Sequence, residues 1–176
     1  MDYQALEEHI KDSVMEEQAK LGFRKEVIRL YYPVGMLNNL FGTACDAEEM
    51  QQALAGFTDF AKERLGEVTI THKKDRFCLL LPEETSIYVH EHKKENEFIH
   101  QLVNLIASHE TDMEQVKKLF EQQPFPSVVE QTTGREFDTV IHFTQGDDRY
   151  YYCFKDEGFH ITYHRFLPAD YKDLGV

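Results

Sequence analysis

Apolar residues recur three to four positions apart over several stretches of the chain, a spacing typical of helices that bury one face. The first stretch covers residues 2–21 and is followed by Gly22, where a helix would end. A second begins at Asp46, which has Glu49 three residues on as in a capping box. Further helices are predicted at residues 33–42, 98–106 and 111–120, and a short one is predicted to start at Pro82.

Two strand-forming runs predict a β-hairpin in "VTITHKKDRFCLLLP", residues 68–82, whose loop contains no glycine and could exceed two residues. If Lys74 and Asp75 form its tip, alternate side chains fall on opposite faces of the hairpin. One face then carries Val68, Ile70, His72, Phe77, Leu79 and Leu81, and the other carries Thr69, Thr71, Cys78 and Leu80. The preceding "VIRLYYP" indicates a short extended segment.

A second hairpin is predicted in "RYYYCFKDEGFHITYHRF", residues 149–166, after a strand in "REFDTVIHFT". A three-residue loop ending at Gly158 would pair Lys155 with Phe159, whereas a two-residue loop would pair Phe154 with Phe159. The turn chemistry favours the first register. That register places Tyr150, Tyr152, Phe154, His160, Thr162 and His164 on one face, away from the apolar interior.

Length and composition fit one globular domain, and the charge restricts the partners. The 176 residues are 41% hydrophobic and 12% aromatic, which suffices for a core. The formal net charge of −13 disfavours nucleic acid as a partner, because the phosphate backbone would be repelled. Such acidity is typical of soluble proteins, and it would also attract a basic protein.

The cysteines and the apolar runs predict a cytoplasmic protein. Cys45, Cys78 and Cys153 are odd in number and form no CxxC pair, as expected of reduced thiols. The acidic start, "MDYQALEEHIKDSV", does not resemble a secretory signal. The runs "FCLLLP" and "LVNLIA" are far shorter than the roughly 20 residues of a membrane helix, so no association with a membrane is expected.

The tyrosines and histidines of the last hairpin form the candidate ligand site, because a face that combines hydroxyls and imidazoles suits a polar ligand. Arg165 adds a group that can hold a carboxylate or a phosphate. The predicted ligand-binding residues are Tyr150, Tyr152, His160, Thr162, His164 and Arg165.

Catalytic and metal chemistry have little support in the sequence. His160 and His164 would lie about 13 Å apart on a strand, too far to share a metal ion. His90 and His92 could share one if they lay on a strand, but no third ligand is placed by spacing. The sequence contains no phosphate-binding glycine loop, no G-x-S-x-G elbow and no H-E-x-x-H motif. We therefore assign no catalytic residue, metal or cofactor.

Three stretches, "EEQAKLGFRKEVIRLYYP", "PEETSIYVHEH" and "YYYCFKDEGFHITYHRF", resemble a family of bacterial proteins known as a domain of unknown function. The resemblance covers nearly the whole chain. It implies a bacterial cytoplasmic protein and assigns no site residues.

Together these observations predict a single α+β domain over residues 1–176, with an antiparallel sheet of about five strands packed against several α-helices. The first functional hypothesis is a non-enzymatic module that binds a small ligand or a peptide on the Tyr/His face of the last hairpin. The second is an acidic protein, similar to immunity proteins, that binds a basic partner. The third is a histidine- or metal-dependent enzyme, in which at least three of His72, His90, His92, His142, His160 and His164 would converge. The oligomeric state is left open.

Overall fold

The computed structural model of the protein describes residues 1–108, 110–133 and 136–174. Contacts within the chain divide it into two compact units, Met1–Glu95 and Asn96–Val176, and each unit contains helices and one antiparallel sheet. The predicted α+β class is thereby confirmed. The prediction of one sheet of about five strands is wrong, because three strands form one sheet and four strands form another. The single-domain organisation stays a prediction.

The first unit, which the structure describes in full, has four helices and three strands. Gly22 ends the first helix with a φ of 79°, in the region that glycine adopts most easily. The backbone N–H of Glu49 donates to the Asp46 carboxylate, and the Glu49 carboxylate accepts from the N–H of Asp46, which completes the predicted capping box. In chain order the elements are α1 (Tyr3–Leu21), β1 (Ile28–Pro33), α2 (Val34–Phe41), α3 (Ala47–Leu65), β2 (Thr69–Lys73), β3 (Arg76–Leu81) and α4 (Glu83–His92).

The three strands form a sheet in the order β1-β3-β2, and the predicted first hairpin is confirmed. Lys73 pairs with Arg76 across a two-residue tip, Lys74-Asp75, in which Lys74 has a φ of 55°. The first of the two predicted faces points into the core. There the side chains of Ile28, Leu30 and Tyr32 from β1 continue the face formed by Ile70, Phe77, Leu79 and Leu81.

The core of the first unit lies between this face of the sheet and the helices. Helix α1 contributes Leu6, Ile10 and Val14, all fully buried, and α3 contributes apolar residues at helical spacing. Gly56 of α3 allows the ring of Tyr3 to approach, because a Cβ atom at residue 56 would lie 2.6 Å from the Tyr3 hydroxyl oxygen. The α3 residues in this core are Met50, Leu54, Phe57, Ala61 and Leu65.

The second unit has three helices and four strands in the part that the structure describes. Its strands form an antiparallel meander in the order β4-β5-β6-β7. Strand β4 was not predicted, because it is exposed over most of its length and follows the prolines of "PFPS". The elements are α5 (Glu97–Ala107), α6 (Met113–Glu121), β4 (Ser127–Gln131), β5 (Thr139–Phe143), β6 (Tyr151–Asp156), β7 (Ile161–Phe166) and α7 (Pro168–Asp173).

The register predicted for the last hairpin is wrong. Lys155 pairs with Thr162 instead of Phe159, so the pairing is displaced by three residues. The connection spans residues 157–160, where the backbone N–H of Glu157 donates to the carbonyl of His160 at 3.0 Å. Gly158 has a φ of 84° and donates its N–H to the Asp156 carboxylate, as part of this longer turn. Because a displacement by an odd number of residues exchanges the faces, every β7 side chain lies on the side opposite to the predicted one.

Helices α5 and α6 cover one face of the second sheet with aromatic rings. Phe98 and Phe120 pack edge to face at 4.8 Å between ring centroids, and both contact Phe143 and Tyr152. A smaller cluster on the opposite face contains Phe137, Val140, Cys153 and Tyr171. Within the described residues of either unit, every helix is too short or too polar to span a bilayer.

Candidate functional site

The structure separates the six residues that were predicted to share one ligand-binding face. Tyr152 pairs with Arg165, and these two side chains lie on the same side of the sheet as Tyr150. Thr162 and His164 project from the opposite side, because they pair with Lys155 and Cys153. His160 lies in the turn, outside both strands. The predicted Tyr/His face therefore does not form, and only its tyrosines and arginine come together.

The buried tyrosines form a polar cluster with half-buried Arg165 and Asp148. The Tyr152 hydroxyl donates to Asp148 Oδ2 at 2.6 Å, and the N–H of Tyr150 donates to Oδ1 at 3.0 Å. The Arg165 guanidinium lies 4.4 Å from the centroid of the Tyr150 ring. Burial, reinforced by the Asp148 carboxylate, raises the pKa of Tyr152 well above 10.0, although Arg165 opposes the shift. Because Tyr152 is 0% and Tyr150 5% exposed, the cluster joins β6 to β7 and offers little surface to a ligand.

The six histidines named in the enzyme hypothesis contact different partners. His72 Nε2 lies 3.0 Å from the Gln51 amide oxygen, and His160 Nε2 lies 3.3 Å from the Glu157 carboxylate. The other four of these six lie against aromatic rings: His90 against Phe23, His92 against Tyr88, His142 against Tyr151 and His164 against Phe137. The described residues contain no group of three or more His, Cys, Asp or Glu side chains placed to hold a metal ion.

The first unit presents an uncovered sheet face that the sequence analysis did not single out as a site. We call it the outer sheet surface, and its side chains form three rows across the strands. Tyr31 stands in the middle row and is 58% exposed, while Cys78 and Leu80 beside it are half-buried. The rows are Arg29–Leu80–Thr69, Tyr31–Cys78–Thr71 and Pro33–Arg76–Lys73.

The charges on the outer sheet surface are all positive, in a chain whose net charge is −13. Arg29, Arg76 and Lys73 are its charged residues, and all three are exposed. Among the described residues, no carboxylate forms an ion pair with any of them. Arg29 and Arg76 lie two rows apart, about 13 Å along the strands, with Tyr31 and Cys78 between them. The surface therefore combines an apolar centre with basic ends.

A signal for this surface was present in "VIRLYYP". Arg29 and Tyr31 alternate there with Ile28, Leu30 and Tyr32, as in a strand with one buried and one exposed face. The hairpin analysis had already placed Cys78 and Leu80 on one face with Thr69 and Thr71, and the structure shows that this face is the outer one. What alternation alone did not reveal is that β1 pairs beside β3 and brings its arginine to the same face.

Buried charge in the first unit is concentrated at Glu7, which is 3% exposed. Arg64 of α3 donates from both Nε and a terminal nitrogen to the two carboxylate oxygens of Glu7, at 2.7 and 2.8 Å. Lys11 lies 2.5 Å from the same carboxylate. Burial would raise the pKa of Glu7, but the hydrogen bonds from Arg64 and Lys11 outweigh it and lower the pKa below 4.5. The ion pair between Glu7 and Arg64 links α1 to α3.

Comparison with known proteins identifies a family for the whole chain. A family model described as "Domain of unknown function, E. rectale Gene description (DUF3877)" matches residues 3–175. The chain matches no curated protein and no solved structure. The match agrees with the bacterial resemblance found in the three sequence stretches, and the chain accordingly belongs to the DUF3877 family of domains of unknown function.

Proposed function

We propose that this chain is a non-enzymatic binding module that holds an acidic segment of a partner protein on the outer sheet surface. The observation that carries the proposal is the sign of the charge there: Arg29, Lys73 and Arg76 stand without a carboxylate on a face whose centre is exposed Tyr31. Carboxylates at the two ends of the surface would gain ion pairs, and an apolar side chain between them would cover Tyr31.

An acidic protein segment suits this surface better than a nucleic acid does. The basic residues span only about 13 Å, whereas the chain as a whole carries a net charge of −13. A long polyanion would extend past the basic residues and be repelled by the net negative charge of the chain. A short segment with two or three carboxylates would meet only the basic residues.

The two other binding hypotheses have weaker geometric support. A ligand site on the last hairpin requires Tyr150 and Tyr152 to be accessible beside His164, but both tyrosines are buried and His164 lies on the other side. A basic partner would be attracted by the overall negative charge, yet that attraction selects no particular surface.

The proposal can be tested with a defined peptide. The probe is a fluorescein-labelled Thr-Glu-Val-Tyr-Val-Glu-Thr, in which the glutamates and the tyrosine share one face of a strand. Its binding is measured by fluorescence anisotropy at 20 and 200 mM salt. A peptide with lysine in place of glutamate represents a basic partner, and a thymidine octamer represents single-stranded nucleic acid.

Charge-reversal variants locate the binding site. Exposed ion pairs contribute about 0.2–1 kcal/mol each, so we expect Arg29→Glu or Arg76→Glu to weaken binding of the acidic peptide about fivefold. Lys62→Glu on α3 makes the same change in net charge away from the surface and should leave binding within about twofold. Equal effects of all three substitutions, or tighter binding of the lysine peptide or the octamer, would contradict the proposal.

A further inference from the structure

The hydrogen bonds between β1 and β3 determine which backbone groups of β1 point to its free edge. The backbone N–H of Val34 donates to the carbonyl of Asp75 at 2.7 Å, which makes these two residues a hydrogen-bonded antiparallel pair. Such pairs alternate along a ladder, so Tyr32 and Leu30 also exchange backbone hydrogen bonds with β3. The N–H and C=O groups of Arg29 and Tyr31 therefore point away from β3, toward the open edge of the sheet.

The open edge belongs to the same residues that form the outer sheet surface. Arg29 and Tyr31 direct their side chains to that surface and their backbone groups to the edge. No described residue forms a backbone hydrogen bond with either of them outside the ladder. Pro33 lies at the end of this edge and pairs with Arg76, and this pair exchanges no backbone hydrogen bonds. The absence of an N–H group in Pro33 therefore removes no hydrogen bond from the sheet.

We infer that the acidic segment binds as an added strand along the open edge of β1 and extends the three-stranded sheet to four. This inference rests on the proposed function and names its binding mode. Backbone hydrogen bonds from the segment go to Arg29 and Tyr31, and the side chains of its paired residues lie beside Arg29 and Tyr31 on the outer sheet surface. One contact area thus supplies both the hydrogen bonds and the charge pairing.

The opposite edge of the sheet, at β2, does not offer this combination. Since β3 uses the backbone groups of Phe77 and Leu79 toward β1, those of Cys78 and Leu80 face β2 and pair with Thr71 and Thr69. The outward backbone groups of β2 are then those of Ile70 and His72, whose side chains lie on the core face. A strand added there would place its paired side chains beside α3, where His72 contacts Gln51.

The geometry defines the sequence pattern of the segment. Residues beside Arg29, Tyr31 and Pro33 project to the outer sheet surface at intervals of about 7 Å. A carboxylate suits the first position, an aromatic or aliphatic side chain the second, and a carboxylate that faces Arg76 the third. The expected partner motif is acid–x–apolar–x–acid in an extended stretch of chain.

Backbone methylation of the peptide tests the binding mode. In an added strand that runs antiparallel to β1, with the glutamates and the tyrosine opposite Arg29, Tyr31 and Pro33, the N–H groups of these three residues point to β1, whereas those of the two valines point away. We expect N-methylation of the tyrosine and one glutamate to weaken binding at least tenfold, because two hydrogen bonds are lost and the methyl groups block the edge. N-methylation of the two valines changes neither the charge nor the number of methyl groups, and should alter affinity less than threefold.

A matched pair of protein variants tests the edge from the other side. Arg29→Thr and Arg29→Pro both remove the charge, but only the proline also removes the N–H at the edge. We expect Arg29→Pro to bind the peptide at least fivefold more weakly than Arg29→Thr, with circular dichroism confirming that both are folded. If Arg29→Pro does not fold, the comparison of the two methylated peptides alone tests the strand addition.

The outcomes separate the two proposals. Equal binding of the two methylated peptides would refute strand addition while leaving the acidic-partner proposal intact. Failure of the unmethylated acidic peptide to bind at 20 mM salt would refute both proposals.

Discussion

The buried carboxylate of Glu7 offers the sharpest prediction about stability. We consider Glu7→Gln, which keeps the shape of the side chain and removes its charge. In the native protein this carboxylate accepts two hydrogen bonds from the Arg64 guanidinium, which also donates to the carbonyl of Phe60, and it contacts Lys11 at 2.5 Å. The substitution leaves Arg64 without its carboxylate, whereas Lys11 keeps Glu8 at 3.2 Å.

The expected cost follows from the burial of the partners. Removing one member of a fully buried ion pair costs about 3–5 kcal/mol, and an exposed pair contributes about 0–1 kcal/mol. The Glu7 side chain is 4% exposed but that of Arg64 is 35% exposed, so solvent screens part of the interaction. We therefore expect Glu7→Gln to lower the free energy of unfolding by about 2 kcal/mol at pH 7.

Urea denaturation followed by circular dichroism measures this change. Glu67→Gln is the matched control, because Glu67 forms an ion pair with Lys62 in which both side chains are mostly exposed. That variant should show no measurable change in its midpoint. A midpoint for Glu7→Gln that equals those of the control and the wild type would refute the view that this cluster stabilises the first unit.

The pH dependence supplies a second criterion for the same variant. The pKa of Glu7 is lower in the folded protein than its ordinary value of 4.5, so its ionisation stabilises the fold above that pH. The difference in stability between the wild type and Glu7→Gln should be constant near pH 7. It should shrink as the pH falls below 4.5 toward the folded-state pKa, and a difference that grows on acidification would contradict the assignment.

Three further predictions concern other parts of the chain. Tyr152→Phe should cost about 1–2 kcal/mol in urea denaturation, since it removes the hydrogen bond to the Asp148 carboxylate; an unchanged midpoint would show that the bond contributes nothing. Burial and then Glu130 raise the pKa of Cys153 to about 12, so mass spectrometry should find native Cys153 unmodified by iodoacetamide after half-buried Cys78 has reacted. Lys74→Asn should raise stability by about 0.5 kcal/mol, because asparagine tolerates a φ of 55° better than lysine does; a lower midpoint would contradict this.

The two hairpins show where the sequence could predict the register of paired strands and where it could not. In the first, apolar and polar residues alternate along residues 68–72, and a tip at Lys74-Asp75 places Ile70 on the same face as Phe77 and Leu79. In the last hairpin nearly every residue from Tyr150 to Phe154 is aromatic or apolar, and both faces of the sheet are packed. Alternation therefore could not select a register there, and the loop length was inferred from Gly158 alone.

The outer sheet surface could be predicted only in part. The first hairpin predicted that Cys78 and Leu80 share a face with Thr69 and Thr71, and β1 was expected to be extended. The neighbour of β1 depends on a contact between residues some fifty positions apart, such as Tyr31 with Cys78, which periodicity does not encode. The net charge of −13 also gave no indication of the basic surface, because a sum over the chain does not show that three basic residues lie on one face.

The most direct test of the acidic-partner proposal is a ¹H–¹⁵N chemical-shift titration of the whole chain with the unmethylated acidic peptide. We predict that the largest shifts fall within residues 28–33 and 76–81, and that Arg29 and Tyr31 lead them. Shifts concentrated on the helices or on the hairpin of residues 151–166, or none at millimolar peptide, would contradict the account.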